Sequence, residues 1–296
     1  VADMLITEHP VGGEGADPYG ITTGPDGALW FTQARSGRVG RMSPTGEHTS
    51  YQLEPAGSQP SVIVEGPDGA LWFTETQAGR IGRITTGGEV SAFALPAEGS
   101  GPFGITPGPD GALWFTEMNA GRVGRITTSG EVTEFPLPGE GGFPAMITAG
   151  PGEALWFTLN QGNALGRITL DGDVTLYPLP TESAGPVGIT HGPGDAVWFA
   201  EILAGKLGRS TPDGEVTEYP LPDRASRPHA LVTTPDGTVW FTEWGANRVG
   251  SVTADGRIEE YGLPATSSEP HGIAVGPDGA LWVALESGAL ARLERR

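Results

Sequence analysis

Seven of the eight tryptophans in this chain stand 42 residues apart, at Trp30, Trp72, Trp114, Trp156, Trp198, Trp240 and Trp282. A proline series keeps the same spacing, at Pro18, Pro60, Pro102, Pro144, Pro186, Pro228 and Pro270. Seven units of 42 account for 294 of the 296 residues, so residues 1–296 read as one repeat array and not as two domains. A period of about 40–45 residues with an aromatic signature in each unit marks the blades of a β-propeller. Composition alone would mislead here. The chain has 48 glycines and 27 prolines, about a quarter of its length, a fraction that signals disorder when it lacks a period.

Within a unit the pattern is that of strands. The third unit runs Gly104-Ile105-Thr106, then the turn Gly108-Pro109-Asp110-Gly111, then Ala112-Leu113-Trp114-Phe115-Thr116-Glu117. It continues through Arg122-Val123-Gly124-Arg125-Ile126 and Val132-Thr133-Glu134-Phe135. Four short strand-like runs are thus separated by Gly, Pro and Asp turns. No stretch carries a 3.6-residue apolar period, which disfavours helical solenoids. The last unit stops after a third strand, Leu290-Ala291-Arg292-Leu293, whereas Leu5-Ile6-Thr7-Glu8-His9-Pro10 matches a fourth, as in Val216-Thr217-Glu218-Tyr219-Pro220. The prediction is an all-β, seven-bladed β-propeller with four-stranded blades, in which the N-terminal strand completes blade seven and leaves no long free edge.

Charge and composition remove several classes of function. With 36 acidic against 17 basic residues the formal charge is −19, so phosphate backbones and anionic membranes repel the chain and no nucleic acid or membrane partner is expected. The absence of cysteine excludes disulfides, thiolate zinc sites and thiol nucleophiles. No run reaches 18 apolar residues, and the N-terminus lacks a basic region followed by a long apolar stretch, so a cytoplasmic location is expected. A closed ring that buries its own edges is expected to be a monomer. There is no Gly-x-Ser-x-Gly, phosphate-loop or Rossmann fingerprint.

Repetition acts as a filter for the site. Residues shared by all units maintain the blade; residues that break the pattern near the channel are candidates for function. The position after each repeat proline reads Tyr19, Ser61, Phe103, Ala145, Val187, His229 and His271, and the position before it Asp17, Gln59, Gly101, Phe143, Gly185, Arg227 and Glu269. Blades six, seven and one adjoin, so His229, Glu269, His271 and Tyr19 should share one sector of one channel mouth. Three residues past the tryptophans stand Gln33, Glu75, Glu117, Leu159, Glu201, Glu243 and Leu285. The recurrent glutamates read as structural, bonding backbone or lining the channel, whereas Glu286 falls one residue out of step. Glu269 and Glu286 beside His271 suit a hard divalent cation such as Mg²⁺, and a histidine there suits general-base work. His9, His48 and His191, on outer strands and near a turn, read as ordinary polar residues. The repeated arginines Arg41, Arg83, Arg125, Arg167 and Arg209 read as structural. Trp244, outside the tryptophan series, is a candidate apolar wall for a ligand or simply exposed.

The segments Gly101-Pro102-Phe103-Gly104-Ile105-Thr106, Arg227-Pro228-His229-Ala230, Trp240-Phe241-Thr242-Glu243-Trp244-Gly245-Ala246-Asn247 and Glu269-Pro270-His271-Gly272-Ile273 resemble the virginiamycin B lyase (streptogramin B lyase) family, and the likeness runs along essentially the whole chain. The resemblance implies a Mg²⁺-dependent carbon–oxygen lyase. Such an enzyme linearises cyclic depsipeptide antibiotics of the type B streptogramins at the threonine–phenylglycine ester by β-elimination, conferring resistance. It implies His271 as the base, Glu269 and Glu286 as the metal site, and His229 and Tyr19 as substrate contacts. Two alternatives stay open: a metal-dependent lactone or ester hydrolase, and a binding propeller without catalysis.

Overall fold

The computed structural model describes residues 3–12, 15–140, 142–264 and 269–296. Seven four-stranded antiparallel sheets form the blades of the propeller, and the only helical element among these residues is a single 3-10 turn at Pro151–Glu153. The inner strands begin at the repeat prolines: Pro18–Thr23, Pro60–Glu65, Pro102–Pro107, Pro144–Gly150, Pro186–Gly192, Pro228–Thr233 and Pro270–Val275. The tryptophans lie on the second strands, from Leu29–Gln33 in blade one to Leu281–Leu285 in blade seven. The N-terminal strand Met4–Pro10 pairs with Ala289–Arg295 in unbroken register from Met4↔Arg295 to Pro10↔Ala289. The ring is therefore closed as the repeat ends predicted.

Each tryptophan is an inter-blade wedge. Trp30 packs with Val39 and Leu53 of its own blade and with Ile63, Leu71 and Phe73 of the next, and it stacks on Tyr51 at 5.9 Å. Burying an aromatic ring of this size stabilises the fold by roughly 1.5–3 kcal/mol, and the ring of blades repeats the gain. The turn aspartate fixes the wedge. Asp26 Oδ1 accepts from Trp30 Nε1 at 3.0 Å, and Oδ2 accepts from Arg41 Nε at 2.8 Å. The same trio recurs as Asp68, Trp72 and Arg83, as Asp110, Trp114 and Arg125, and as Asp278, Trp282 and Arg292. Burial alone would raise these carboxyls, but the hydrogen bonds from the indole, the guanidinium and the backbone outweigh it and hold them below the usual range. The Pro-Asp-Gly turn thus supplies a carboxylate as well as a bend, with Gly27 at φ 71° completing it. This accounts for the recurrent arginines of blades one to three. In blade four the turn lacks aspartate, and Trp156 Nε1 donates to Pro151 O instead.

Two devices aim side chains at the channel mouth. Every inner strand carries a register shift just after its proline, as between Pro18 and Ile21 or Pro270 and Ile273, and a bulge of this kind re-aims the residue it contains. The second-strand threonine then ties blade to blade: Thr242 Oγ1 accepts from Ala230 N at 3.1 Å and donates to His271 O at 2.8 Å. Blades five and seven have Ala200 and Ala284 at this place, and around the ring neighbouring inner strands also approach backbone to backbone. A Cβ added to Gly272 would stand 2.6 Å from Tyr19 O, so only glycine fits.

Candidate active site

The residue before the repeat proline is left-handed in six blades: Gln59, Gly101, Phe143, Gly185, Arg227 and Glu269, with φ between 54° and 67°. Its carbonyl accepts the N–H of the residue four past the tryptophan, as from Thr76 to Gln59 at 3.0 Å and from Trp244 to Arg227 at 3.0 Å. Glycine adopts this conformation freely, but a side chain there costs about 1–2 kcal/mol. Glu269, at φ 61°, is retained against that cost. Its carbonyl accepts from Glu286 N at 3.3 Å, which places Glu286 in the same loop position as Trp244, with blade seven's missing residue falling downstream of it.

The predicted residues converge. Glu269, His271 and Glu286 each bring one donor atom within 4.8 Å of the others. His271 Nε2 lies 2.9 Å from Glu286 Oε2, and the ring of Tyr19 lies 4.5 Å from that of His271. His229 meets both rings edge-on, at 6.1 Å from Tyr19 and 5.2 Å from His271. Trp244 closes one side at 6.4 Å from His271, with the Arg227 guanidinium over its own face at 5.2 Å. A pocket of about 240 Å³ opens here, lined by Tyr19, Phe103, Arg35, His271 and Glu286 among others. It leads to a narrower apolar cavity of about 90 Å³ in the channel beneath Tyr19 and His229.

The environment sets the protonation states. His271 is 8% exposed, and burial pushes its pKa down to about 4, with Arg35 adding to the effect and Glu269 opposing it. The ring is therefore neutral at pH 7 and keeps a lone pair, and its contact with Glu286 is a hydrogen bond and not a full ion pair. Burial, then the neighbouring His271, pushes His229 down to about 3, so it too is neutral. Burial and then the charge of Glu286 push the Tyr19 phenol well above its ordinary range. The Glu269 carboxyl is raised by the hydrogen bond it shares with Glu286, by burial and by that neighbour's charge. Two carboxylates this close repel each other, and a cation between them relieves the strain.

The two carboxylates fit a hard divalent cation, and the His271 imidazole stands beside them with its Nδ1 buried and unpartnered. Asp17 Oδ1, His229 Nδ1 and Trp244 Nε1 are also buried without partners, so this mouth collects polar atoms that the fold itself does not satisfy.

The recurrent glutamates are structural, as their column indicates, and of the two places it allowed they take the buried one. They do not line the mouth: Glu75, Glu117, Glu201 and Glu243 are fully buried at the ends of second strands, and Glu75 Oε2 accepts from Arg80 at 2.6 Å. The three other histidines lie apart from the site, His9 against Trp282, His48 against Phe31 and His191 beside Asp195. Column reading overlooked Arg35, whose guanidinium pairs with Glu286 Oε1. Five residues past the tryptophans stand Arg35, Gln77, Asn119, Gln161, Leu203, Gly245 and Ser287; the single charge in that column was the available signal.

Comparison with known proteins bears on this geometry. A virginiamycin B lyase of Saccharopolyspora erythraea is 59% identical over 49 residues, 17% of this chain and 16% of that one; the chain thus aligns with about a sixth of such curated relatives. The crystal structure of virginiamycin B lyase from Staphylococcus aureus superposes with a TM-score of 0.95 at 43% identity, covering 99% of this chain and 100% of that one. A catalytically inactive histidine-to-alanine variant of the same enzyme, solved with quinupristin, matches equally well, with TM-score 0.95, 43% identity and the same coverage. The virginiamycin B lyase family is matched over residues 4–293, and with that match and the whole-length likeness of fold the chain belongs to it.

Proposed function

We propose that this protein is a streptogramin B lyase that opens the ring of type B streptogramins at the threonine–phenylglycine ester by β-elimination, with His271 as the base. The observation that carries the reading is the neutral, buried imidazole of His271 set between Glu269, Glu286 and Tyr19. Family membership supports it, as does a relative solved with quinupristin in which loss of one histidine abolishes activity. Of the five histidines here, only His271 stands within reach of both mouth carboxylates.

Glu269 and Glu286 would hold Mg²⁺, which would supply Lewis acidity to the carbonyl beside the carbon that loses its proton. The chain's own groups supply the rest. His271, neutral and held beside Glu286, takes the threonine α-proton on its imidazole. The C–H electron pair becomes the new Cα–Cβ π bond, and the Cβ–O bond breaks with its pair leaving on the phenylglycine carboxylate. The product is a linear peptide with a dehydrobutyrine and one new carboxylate, and no water enters. Tyr19, held protonated, offers an O–H donor and a flat ring. His229 is also uncharged and stands edge-on beside both rings, where it contacts the substrate. The pocket is smaller than the cavities that enclose a drug-sized molecule. It therefore admits the ester edge while the macrocycle rests on the rim, where Leu203 is 67% exposed.

Mass spectrometry of quinupristin after incubation tests the reading. Elimination gives a linear product isomeric with the substrate and free of ¹⁸O from labelled water. Incorporation of one solvent oxygen would establish a hydrolase instead, and an unchanged substrate would leave a binding propeller.

A further inference from the structure

Six of the seven mouth loops share one backbone design, and blade one departs from it. Asp17 is not left-handed and provides no carbonyl of the kind Gln59 or Glu269 provides. Instead its side chain clamps the loop: Oδ2 accepts the backbone N–H of Arg35. Asp17 is 4% exposed, so this clamp is part of the buried frame. The loop it holds sends the Arg35 side chain across the blade boundary to Glu286 Oε1, while Glu286 Oε2 faces His271 Nε2 at 2.9 Å. Both oxygens of this carboxylate are thus engaged. A cation that takes Glu286 as a ligand therefore competes with both partners for the charge of this carboxylate. Arg35 is the easier to displace, because its side chain is 74% exposed and water can receive it, whereas His271 is buried.

We propose that Arg35 is a tethered counter-cation of the metal site: it competes with the divalent ion for Glu286 and thereby sets the affinity of the site. The inference rests on the reading that Glu269 and Glu286 bind Mg²⁺. Two effects act in the same direction. The ion pair weakens when the metal arrives, and the guanidinium, tethered by the Asp17 clamp, leaves a positive charge near the incoming ion. Truncating Arg35 removes both.

Isothermal titration of the full chain with MgCl₂ at physiological ionic strength tests the proposal without recourse to activity. Arg35→Ala and Arg35→Gln should each tighten Mg²⁺ binding about three- to tenfold, while Arg35→Lys, which keeps the charge, stays within about twofold of the parent. Thermal denaturation without added metal should leave all three variants close to the parent, as befits an exposed side chain. Unchanged or weaker binding in the Ala and Gln variants, with binding retained by the parent, would overturn the proposal; weaker binding would show instead that Arg35 holds Glu286 in place. No heat from the parent protein at millimolar Mg²⁺ would remove the metal reading itself, and the role of Arg35 with it.

Discussion

Glu243 and Glu286 lie in adjacent blades, one repeat and one residue apart. Glu243 ends the second strand of blade six and is fully buried; burial pushes its carboxyl up to about 7, with the nearby Ser226 hydroxyl opposing the rise and the charge of Glu260 adding to it. Glu286 comes one residue after the second strand of blade seven, its N–H tied to the Glu269 carbonyl and its carboxylate between Arg35 and His271. A step of one residue along a strand turns a side chain to the other face. The same residue type therefore serves as an internal acid in one blade and as a mouth carboxylate in the next. Where blade seven lets Glu286 face the site, Leu285 fills the buried place that Glu243 fills in blade six. In this ring, position in the repeat and not residue type decides which acid can do chemistry.

The comparison breaks if the buried acids matter to turnover as much as the mouth does. The largest expected effect is that of His271→Ala: turnover of quinupristin, followed by chromatography and mass spectrometry, should fall by about 10²–10⁴-fold, with the melting temperature little changed. Full activity in this variant would remove the proposed base. Next comes the glutamate pair. Glu286→Gln should lower turnover by about 100-fold and abolish the response to EDTA followed by added Mg²⁺. Glu243→Gln should keep turnover within about threefold of the parent, because the carboxyl it alters faces Ser226 and Glu260 and not the channel. Equal losses in the two variants would erase the distinction between belt and mouth.

A third, smaller effect concerns the frame. Asp68→Ala strips Trp72 Nε1 and Arg83 Nε of their acceptor, and leaving buried donors unsatisfied costs about 1–3 kcal/mol. Urea denaturation should show that loss, while the same assay on quinupristin should show turnover nearly unchanged, since the turn lies at the opposite end of the inner strand from His271.

Much of this was legible in the sequence because a repeat exposes its own rules. The 42-residue spacing of the tryptophans determined blade number, and the unmatched ends determined how Met4–Pro10 closes the ring. The site was legible for the complementary reason: His229, His271, Glu269 and Tyr19 stand in columns where neighbours repeat and they do not. What stayed hidden depends on side-chain direction. The recurrence of Glu117, Glu201 and Glu243 marks a structural role but leaves two places for it, in the frame or lining the channel, and only strand alternation shows that they turn into the frame. Arg35 was missed because its partner lies 251 residues away in sequence and meets it only when the ring closes.

The same buried acids give the smallest and most specific expectation, in the pH dependence of stability. Burial, reinforced by neighbouring glutamates, raises Glu117 to about 7, Glu201 to about 8 and Glu243 to about 7, against 4.5 for the group in its ordinary state. A carboxyl raised on folding makes the native state bind the extra proton, so its contribution is full below about pH 4.5 and is lost as pH rises through the folded value. The buried histidines act oppositely: with His271 near 4 and His229 near 3 when folded, their contribution is lost as pH falls below 6.5, the ordinary histidine value. From about pH 7.5 to 8.5 the histidines are almost wholly neutral in both states, which isolates the acid belt, Glu201 above all; Glu269, raised at the mouth, slopes the same way. Stability to urea should therefore fall across that window. Glu201→Gln, which installs the residue that blade one carries as Gln33, should reduce the slope by up to about one proton. An unchanged slope in that variant would mean that Glu201 is already ionised in the folded ring, and the contrast between a protonated belt and a charged mouth would fail at its most strongly raised member.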